Sequence, residues 1–326
     1  MLSRRLDEKN HARCLTLLSP EARAQLRSCT GPLAAAWQWA SAASPAERLD
    51  DETYRCTARS LLGQAVAPAA GATCQHKTRT GNNAGRRCGA ALCGFARHAH
   101  RCAVGGSFTE RSEALERVWV RIHRECGHAV ETKVHVPQWD RWVWHCSARP
   151  ACQQRGVAWA PPHGPCSECG APLVAVREEA VLDLEVRSAE APRTFFDVTV
   201  RYAIPGDASR LRAAEVRGGA VAAEAEATKR RRYPDGQTPW RVVPLATETG
   251  GRHGRTALQH LRKLARKRAE RLDEGAEEAV SAMVQRWGAW LACALQRANA
   301  KVLKEALGSE EAREGREADL RAALAG

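Results

Sequence analysis

The chain has 326 residues, a length that allows two or three small domains, each with a core of its own. Lys and Arg number 50 against 37 Asp and Glu, and the resulting charge of +13 favours a polyanionic partner, most often nucleic acid. The apolar runs are too short to span a bilayer, and charged residues follow Met1. The sequence therefore predicts neither a membrane partner nor a signal peptide.

Thirteen cysteines without a secretory signal indicate a reducing, intracellular compartment. In such a compartment, clustered Cys and His residues are more often metal ligands than disulfides. Two clusters of this kind are visible, and each predicts a zinc site.

The composition divides the chain into four predicted segments. Residues 1–70 carry apolar residues at helical spacing between prolines and glycines, which predicts a spacer of short helices. Residues 71–106 hold the first Cys/His cluster, residues 107–254 predict an α/β unit, and residues 255–326 predict basic amphipathic helices. A Cys-rich insertion at 141–174 interrupts the α/β unit.

The first cluster offers more ligands than one zinc ion needs, because zinc takes four ligands in a tetrahedron. The candidates are Cys74, Cys88, Cys93, His98, His100 and Cys102. One possible ligand set is Cys88, Cys93, His98 and Cys102; the other replaces Cys93 with Cys74. Neighbouring cations, Arg86 and Arg87 among them, suit contact with phosphate.

The insertion carries the second cluster, Cys146, Cys152, Cys166 and Cys169. The stretch Cys166-Ser-Glu-Cys169-Gly lets two sulfurs reach one ion from a tight turn. His145 or His163 could replace one of the four. Four protein ligands leave no open position, so a zinc ion here would be structural.

The α/β unit is predicted to run helix, strand, strand, strand, helix, strand around one central sheet, an α/β (α+β) fold. The strand at 181–186 carries Asp183, and the strand at 195–202 carries Asp197. On the following helix Glu226 and Lys229 are three residues apart and share a face.

Two aspartates side by side on adjacent strands repel each other unless a cation lies between them. They therefore predict a magnesium site, where Lys229 could stabilise charge on a phosphate. The alternative is that both acids lie on a solvated sheet face. The spacing of the residues alone favours neither interpretation.

The C-terminal segment predicts two helices, at 255–272 and about 276–307. The first places a row of cations outward as a candidate nucleic-acid contact: Arg262, Lys263, Arg266 and Lys267.

These motifs in this order resemble the C-terminal region of site-specific non-LTR retrotransposon polyproteins (reverse transcriptase/endonuclease). In that family a Cys-Cys-His-Cys knuckle precedes a restriction-endonuclease-like domain that nicks target DNA. The resemblance covers about two thirds of the chain. The matching stretches are CGA at 88–90, HAHRC at 98–102 with two glycines shortly after, VPQWD at 136–140, LDLEV at 182–186, FFDVTV at 195–200, AEATKRRRY at 225–233 and PLATETGG at 244–251.

The resemblance implies that Asp183 and Asp197 bind the metal, that Lys229 is the catalytic lysine and that Glu226 is an auxiliary acid. It implies a restriction-endonuclease-like core, a nick in one DNA strand that primes reverse transcription, and a nuclear location. Target-site DNA would be the partner, with RNA as a second candidate.

The chain departs from the family's usual pattern in several places. Thr199 stands where the family usually has a lysine, although some members carry that lysine on the helix, where Lys229 lies. The Cys-rich insertion is not a usual part of the domain. No pair of aspartates in a polymerase-like setting is present, so we expect a fragment, a truncated copy or a reused remnant. Two other functions fit the same residues: a nucleic-acid-binding remnant without catalysis, and a zinc-stabilised interaction protein.

Overall fold

The computed structural model describes residues 10, 12–40, 44, 47–66, 72–78, 84–188, 191–273 and 277–308. It is a mixed α/β structure, as the sequence predicts. The chain divides into two compact units: one comprises 1–122, 198–226 and 245–326, and the other comprises 123–197 and 227–244. The four predicted segment boundaries stay a prediction.

The helices are numbered here in chain order. They are α1 (Pro20–Cys29), α2 (Asp51–Leu61), α3 (Arg97–Arg101), α4 (Ser107–Glu125), α5 (Ala208–Val216), α6 (Ala220–Arg232), α7 (Arg255–Arg271) and α8 (Glu277–Leu307). Side-chain caps begin several of them. Ser19, Asp50 and Asp207 each accept a backbone amide of the first turn of α1, α2 and α5 respectively. No described helix has both the length and the apolar content that crossing a bilayer requires.

The strands form two sheets. The larger has the order β1-β5-β6-β7, from β1 (Ala129–His135), β5 (Val181–Ser188), β6 (Ala191–Arg201) and β7 (Arg241–Glu248). The smaller has the order β3-β2-β4, from β2 (Arg141–Cys146), β3 (Arg155–Ala158) and β4 (Leu173–Glu178). The chain order α4, β1, β5, β6, α6, β7 is the predicted helix, strand, strand, strand, helix, strand, with the small sheet inserted after β1 and α5 added before α6.

The alternation of residues along the strand predicts which side chains are buried on β5, but not on β6. On β5 the apolar set Leu182, Leu184 and Val186 is buried, as its period of two predicts. On β6 both Phe195 and Phe196 are buried, because side chains cover both faces of the strand: Phe195 contacts Trp139 and Phe196 contacts His123. Leu182 and Phe195 share one cluster with Trp139, Tyr233 and Val242. Asp197 and Thr199 are therefore enclosed polar positions rather than part of a solvated face.

Both C-terminal helices lie where the sequence predicts them. On α7, Leu261, Leu264 and Ala265 are buried while Arg262, Lys263 and Arg266 are exposed. Leu272 is exposed because the helix ends one residue before it. From Trp287 onward α8 is buried on most of its surface, which is typical of a core helix.

Candidate metal centres and acidic site

For the first cluster the sequence leaves two ligand sets open, and the structure brings together the set that contains Cys74. The ligand atoms of Cys74, Cys88, His98 and Cys102 all lie within 4.8 Å of one another. Cys93 is exposed and lies outside this group, so the geometry favours the set that contains Cys74. The sequence could not decide this point, because both sets have acceptable spacing.

Short local elements bring these four side chains together. Cys74 and Cys88 lie on two chain segments that pair around them, with the Cys88 amide donating to the His76 carbonyl at 2.8 Å. His98 lies on α3, and Cys102 follows its last residue. Cys74 and Cys102 also pack against Leu303 and Ala306 of α8.

The second histidine of the HAHRC motif has a structural role. His100 is buried, and the Arg111 guanidinium donates to its carbonyl at 2.7 Å and lies 3.2 Å from its Nδ1. Burial lowers the pKa of His100 to about 3, and the Arg111 cation lowers it further in the same direction. His100 is therefore neutral and tied to α4, and it is not among the clustered ligands.

The second cluster is formed by the four cysteines that the sequence predicts. Cys146 ends β2, Cys152 follows it, and Cys166 and Cys169 lie in a turn before β4; their sulfurs lie within 4.8 Å of one another. The turn is closed by the Gly170 amide, which donates to the Cys166 carbonyl at 2.8 Å. Gly170 has φ +72°, a conformation that favours glycine. Neither His145 nor His163 belongs to the group.

The sulfur separations fit zinc better than they fit disulfides. A tetrahedral zinc ion with bonds of about 2.3 Å holds its sulfurs about 3.8 Å apart, whereas a disulfide holds them at about 2.05 Å. The Sγ–Sγ distance is 3.9 Å for Cys74–Cys102 and 3.7 Å for Cys152–Cys166. Both clusters are thus compatible with a zinc ion.

The electrostatics of the clusters also favour a cation. Burial raises the pKa of the Cys102 thiol to about 12. The Gln154 amide lowers the pKa of Cys152, but burial and the neighbouring sulfurs raise it to about 12. Amides of Glu168 and Cys169 lower the pKa of Cys166 to about 7, so this thiol ionises more readily than that of Cys152. A bound cation would stabilise all four thiolates of the second cluster.

The two predicted acids lie on adjacent antiparallel strands. Leu184 pairs with Phe196 and Glu185 with Phe195, so the same register continued by one residue places Asp183 opposite Asp197. Lys229 on α6 donates from Nζ to Oδ2 of Asp197 at 2.7 Å. The structure therefore places Lys229 against one of the two acids with which the sequence associates it.

A lysine that sequence reasoning missed contacts the other acid. Lys133 of β1 donates from Nζ to Oδ1 of Asp183 at 2.7 Å. Lys133 has φ +54°, which is strained for a residue with a side chain, and the residues on each side of it keep their pairing with β5. Only the period-two spacing of Glu131, Lys133 and His135 along β1 could have suggested this position.

Two further side chains of note lie in the same compact unit as the acid pair. Tyr233 is buried, and both its burial and the carboxylates of Asp197 and Asp183 raise the pKa of its hydroxyl. Tyr233 therefore stays protonated and can donate a hydrogen bond. Asp140, of the VPQWD stretch, accepts from the Ala180 amide at 2.7 Å and from Arg177 at 2.6 Å.

Glu226, the predicted auxiliary acid, has a capping contact. Its Oε1 accepts the Thr256 amide at 3.0 Å and its Oε2 accepts the Thr256 hydroxyl at 2.8 Å, in the first turn of α7. The predicted nucleic-acid contacts Arg86, Arg87, Arg262, Lys263 and Arg266 are exposed, and Lys267 is half-buried. Their role in binding stays a prediction.

No protein-family model, curated protein or solved structure matches this chain. The resemblance to retrotransposon polyproteins thus stays an expectation that rests on the motifs themselves.

Proposed function

We propose that this chain is a metal-dependent endonuclease domain, derived from a non-LTR retrotransposon polyprotein, that nicks one strand of DNA. The observation that carries the proposal is the opposed pair Asp183 and Asp197, each with a lysine Nζ at 2.7 Å. Zinc at the two cysteine clusters would stabilise the fold and help to grip nucleic acid.

The donor set of the acid pair fits magnesium. Mg²⁺ is commonly bound by one or two carboxylates and completes its coordination with water and substrate phosphate. Asp183 and Asp197 would hold the ion, which when bound supplies an activated water and offsets charge on the phosphate.

The residues of the chain supply the rest of the chemistry. Asp197 lies on a strand that is buried on both faces, so its carboxylate is held rigidly. Lys229 and Lys133 would place ammonium groups where negative charge develops on the phosphate. Tyr233, protonated at neutral pH, would donate a hydrogen bond to a phosphate oxygen.

Plasmid nicking tests the proposal. Zinc-loaded protein should convert supercoiled plasmid to the nicked circle in the presence of Mg²⁺, and Asp197→Ala should lower the rate by about 100-fold or more. The matched control is Asp235→Ala, which removes an exposed acid of the same unit and should leave the rate unchanged. Nicking that survives Asp197→Ala would contradict the assignment.

One observation favours a second function, nucleic-acid binding without catalysis. Each acid of the pair is already neutralised by a lysine, and in the described part of the chain the acids belong to no group of three or more potential metal ligands. This candidate predicts salt-sensitive binding with no cleavage. Binding that is lost when Arg262, Lys263, Arg266 and Lys267 are neutralised together would identify α7 as the contact surface.

A further inference from the structure

One face of the small sheet β3-β2-β4 exposes an apolar row. Val143 pairs with Val157 on one side and with Val176 on the other, so the three valines form a line across all three strands. They are 39%, 55% and 62% exposed, respectively, and Val174 on the same face is 42% exposed. A contiguous apolar surface of this kind marks a binding site more often than chance.

Polar side chains and an indole border this row. His145 pairs with Arg155 and with Val174, which places His145 and Arg155 beside the valines. On the other side Arg141 pairs with Glu178, and the register continued by one residue places Trp159 beside Arg141. We call these nine residues the insertion face: Arg141, Val143, His145, Arg155, Val157, Trp159, Val174, Val176 and Glu178.

The opposite side of the same sheet is less exposed. Trp142 and Trp144 are half-buried there, and the Trp144 ring lies so close to Gly156 that a Cβ there would be 2.5 Å from it. The valine side is therefore the more accessible of the two.

The charges on the insertion face favour a polyanion as its partner. Its one acid, Glu178, is held by Arg141 through two hydrogen bonds, at 2.9 and 3.1 Å. Arg155 is exposed. The Arg232 guanidinium, 6.0 Å from the centre of the Trp159 ring, is buried and donates to the Trp139 carbonyl at 2.6 Å. Cations around an exposed indole are the features that hold a nucleic-acid strand by its backbone and a stacked base.

The apolar row favours the unpaired bases of a single strand over a duplex. In a duplex the base faces are stacked on one another, so valines and an indole on a flat sheet can contact them only when the strand is single. The location of the insertion face also fits a strand bound at the acid pair. Arg232, whose guanidinium lies 6.0 Å from the Trp159 ring centre, is one helical turn after Lys229 on α6. A strand leaving the acid pair along this turn would reach the insertion face.

We infer that the insertion face binds an unpaired nucleic-acid strand next to the Asp183–Asp197 site. This inference rests on the proposed function in that nucleic acid is the substrate. It assigns a task to the Cys-rich insertion, whose zinc cluster would hold the three strands in place.

Fluorescence anisotropy with a labelled single strand of roughly 16 nucleotides, without Mg²⁺, tests the inference on the zinc-loaded full chain. Trp159→Ala should weaken binding by about fivefold or more and leave the salt dependence unchanged, because stacking releases no counterions. Trp159→Phe should retain most of the affinity. Arg155→Ala should lower the slope of log affinity against log salt by about 0.7.

Trp39→Ala is the matched control, since Trp39 is 62% exposed and lies outside this face. Each variant should retain its zinc and its circular dichroism spectrum. Unchanged single-strand binding by both Trp159→Ala and Arg155→Ala would overturn the inference even if the plasmid is nicked. Loss of self-association in a Val143→Ser, Val176→Ser double variant with unchanged strand binding would identify a protein interface and would also overturn it. Absence of nicking would refute only the catalytic proposal, because strand binding is measured separately.

Discussion

The carboxylate of Glu226 accepts both the amide and the hydroxyl of Thr256 and so satisfies the start of α7. An anion at a helix N-terminus is also stabilised by the helix dipole. Gly254 leaves room for this contact, because a Cβ at that position would lie 2.1 Å from Oε1 of Glu226. The residue is therefore a cap, whatever part it has in catalysis.

Glu226→Ala should lower the free energy of unfolding by about 1–3 kcal/mol, because it leaves the Thr256 amide without its acceptor. Thermal or denaturant unfolding of the zinc-loaded protein measures this. Glu224→Ala on the same helix is the control and should change stability by less than about 0.5 kcal/mol. Unchanged stability with lost nicking would instead assign Glu226 to the auxiliary role that the resemblance implies.

At the scale of the element, Asp140 joins three strands. It follows the turn after β1, and its side chain accepts from His135 of β1, Arg177 of β4 and the Ala180 amide just before β5. Burial by itself would raise the pKa of Asp140, but hydrogen bonds from the Ala180 amide, His135 and Arg177 lower it below its ordinary value of 3.8. The small sheet is thus fastened to the strand that carries Asp183.

Asp140→Asn should destabilise the zinc-loaded protein by about 2–4 kcal/mol, because charged hydrogen bonds to a buried carboxylate are lost. The folded pKa lies below the unfolded one, so this stability is fully present above pH about 3.8 and is lost as the pH falls through the folded pKa. The gap in the free energy of unfolding between parent and variant should therefore be constant from neutral to weakly acidic pH. Denaturant titrations at several pH values measure it, and a gap that closes near pH 6 would contradict this account.

For the molecule as a whole, two Cys/His clusters could each hold a metal ion, and a zinc ion bound there would add to the stability of the fold. Each lies within one compact unit, Cys74, Cys88, His98 and Cys102 in one and Cys146, Cys152, Cys166 and Cys169 in the other. The sulfurs must be deprotonated to bind a metal, so protons compete with zinc and its affinity falls as the pH is lowered.

Metal analysis of the purified chain should find about two zinc ions. Cys88→Ser should remove one of them, whereas Cys93→Ser should retain both, because Cys93 is outside the ligand group. Cys93→Ser is the matched control for loss of a thiol in the same segment. Zinc loss in Cys93→Ser with retention in Cys74→Ser would reverse the ligand assignment, and absence of zinc from the parent would refute both sites.

Local patterns in the sequence already determine a large part of this protein. Period-two alternation identifies β5 and β6, and helical spacing identifies α7 and α8. The CxxC-Gly turn indicates the second cysteine cluster. Each of these patterns depends on residues close together in the chain. The facing of Asp183 and Asp197 follows from the same alternation once the two strands are paired.

Only the tertiary structure decides which distant side chains meet. It selects Cys74 over Cys93, brings Lys133 to an acid 50 positions away, and places Glu226 against Thr256, 30 residues later in the first turn of α7. The line of exposed valines on the insertion face likewise depends on how three short strands are ordered. Spacing along the chain carries no information about such contacts, since they depend on loop closure and on the register between strands.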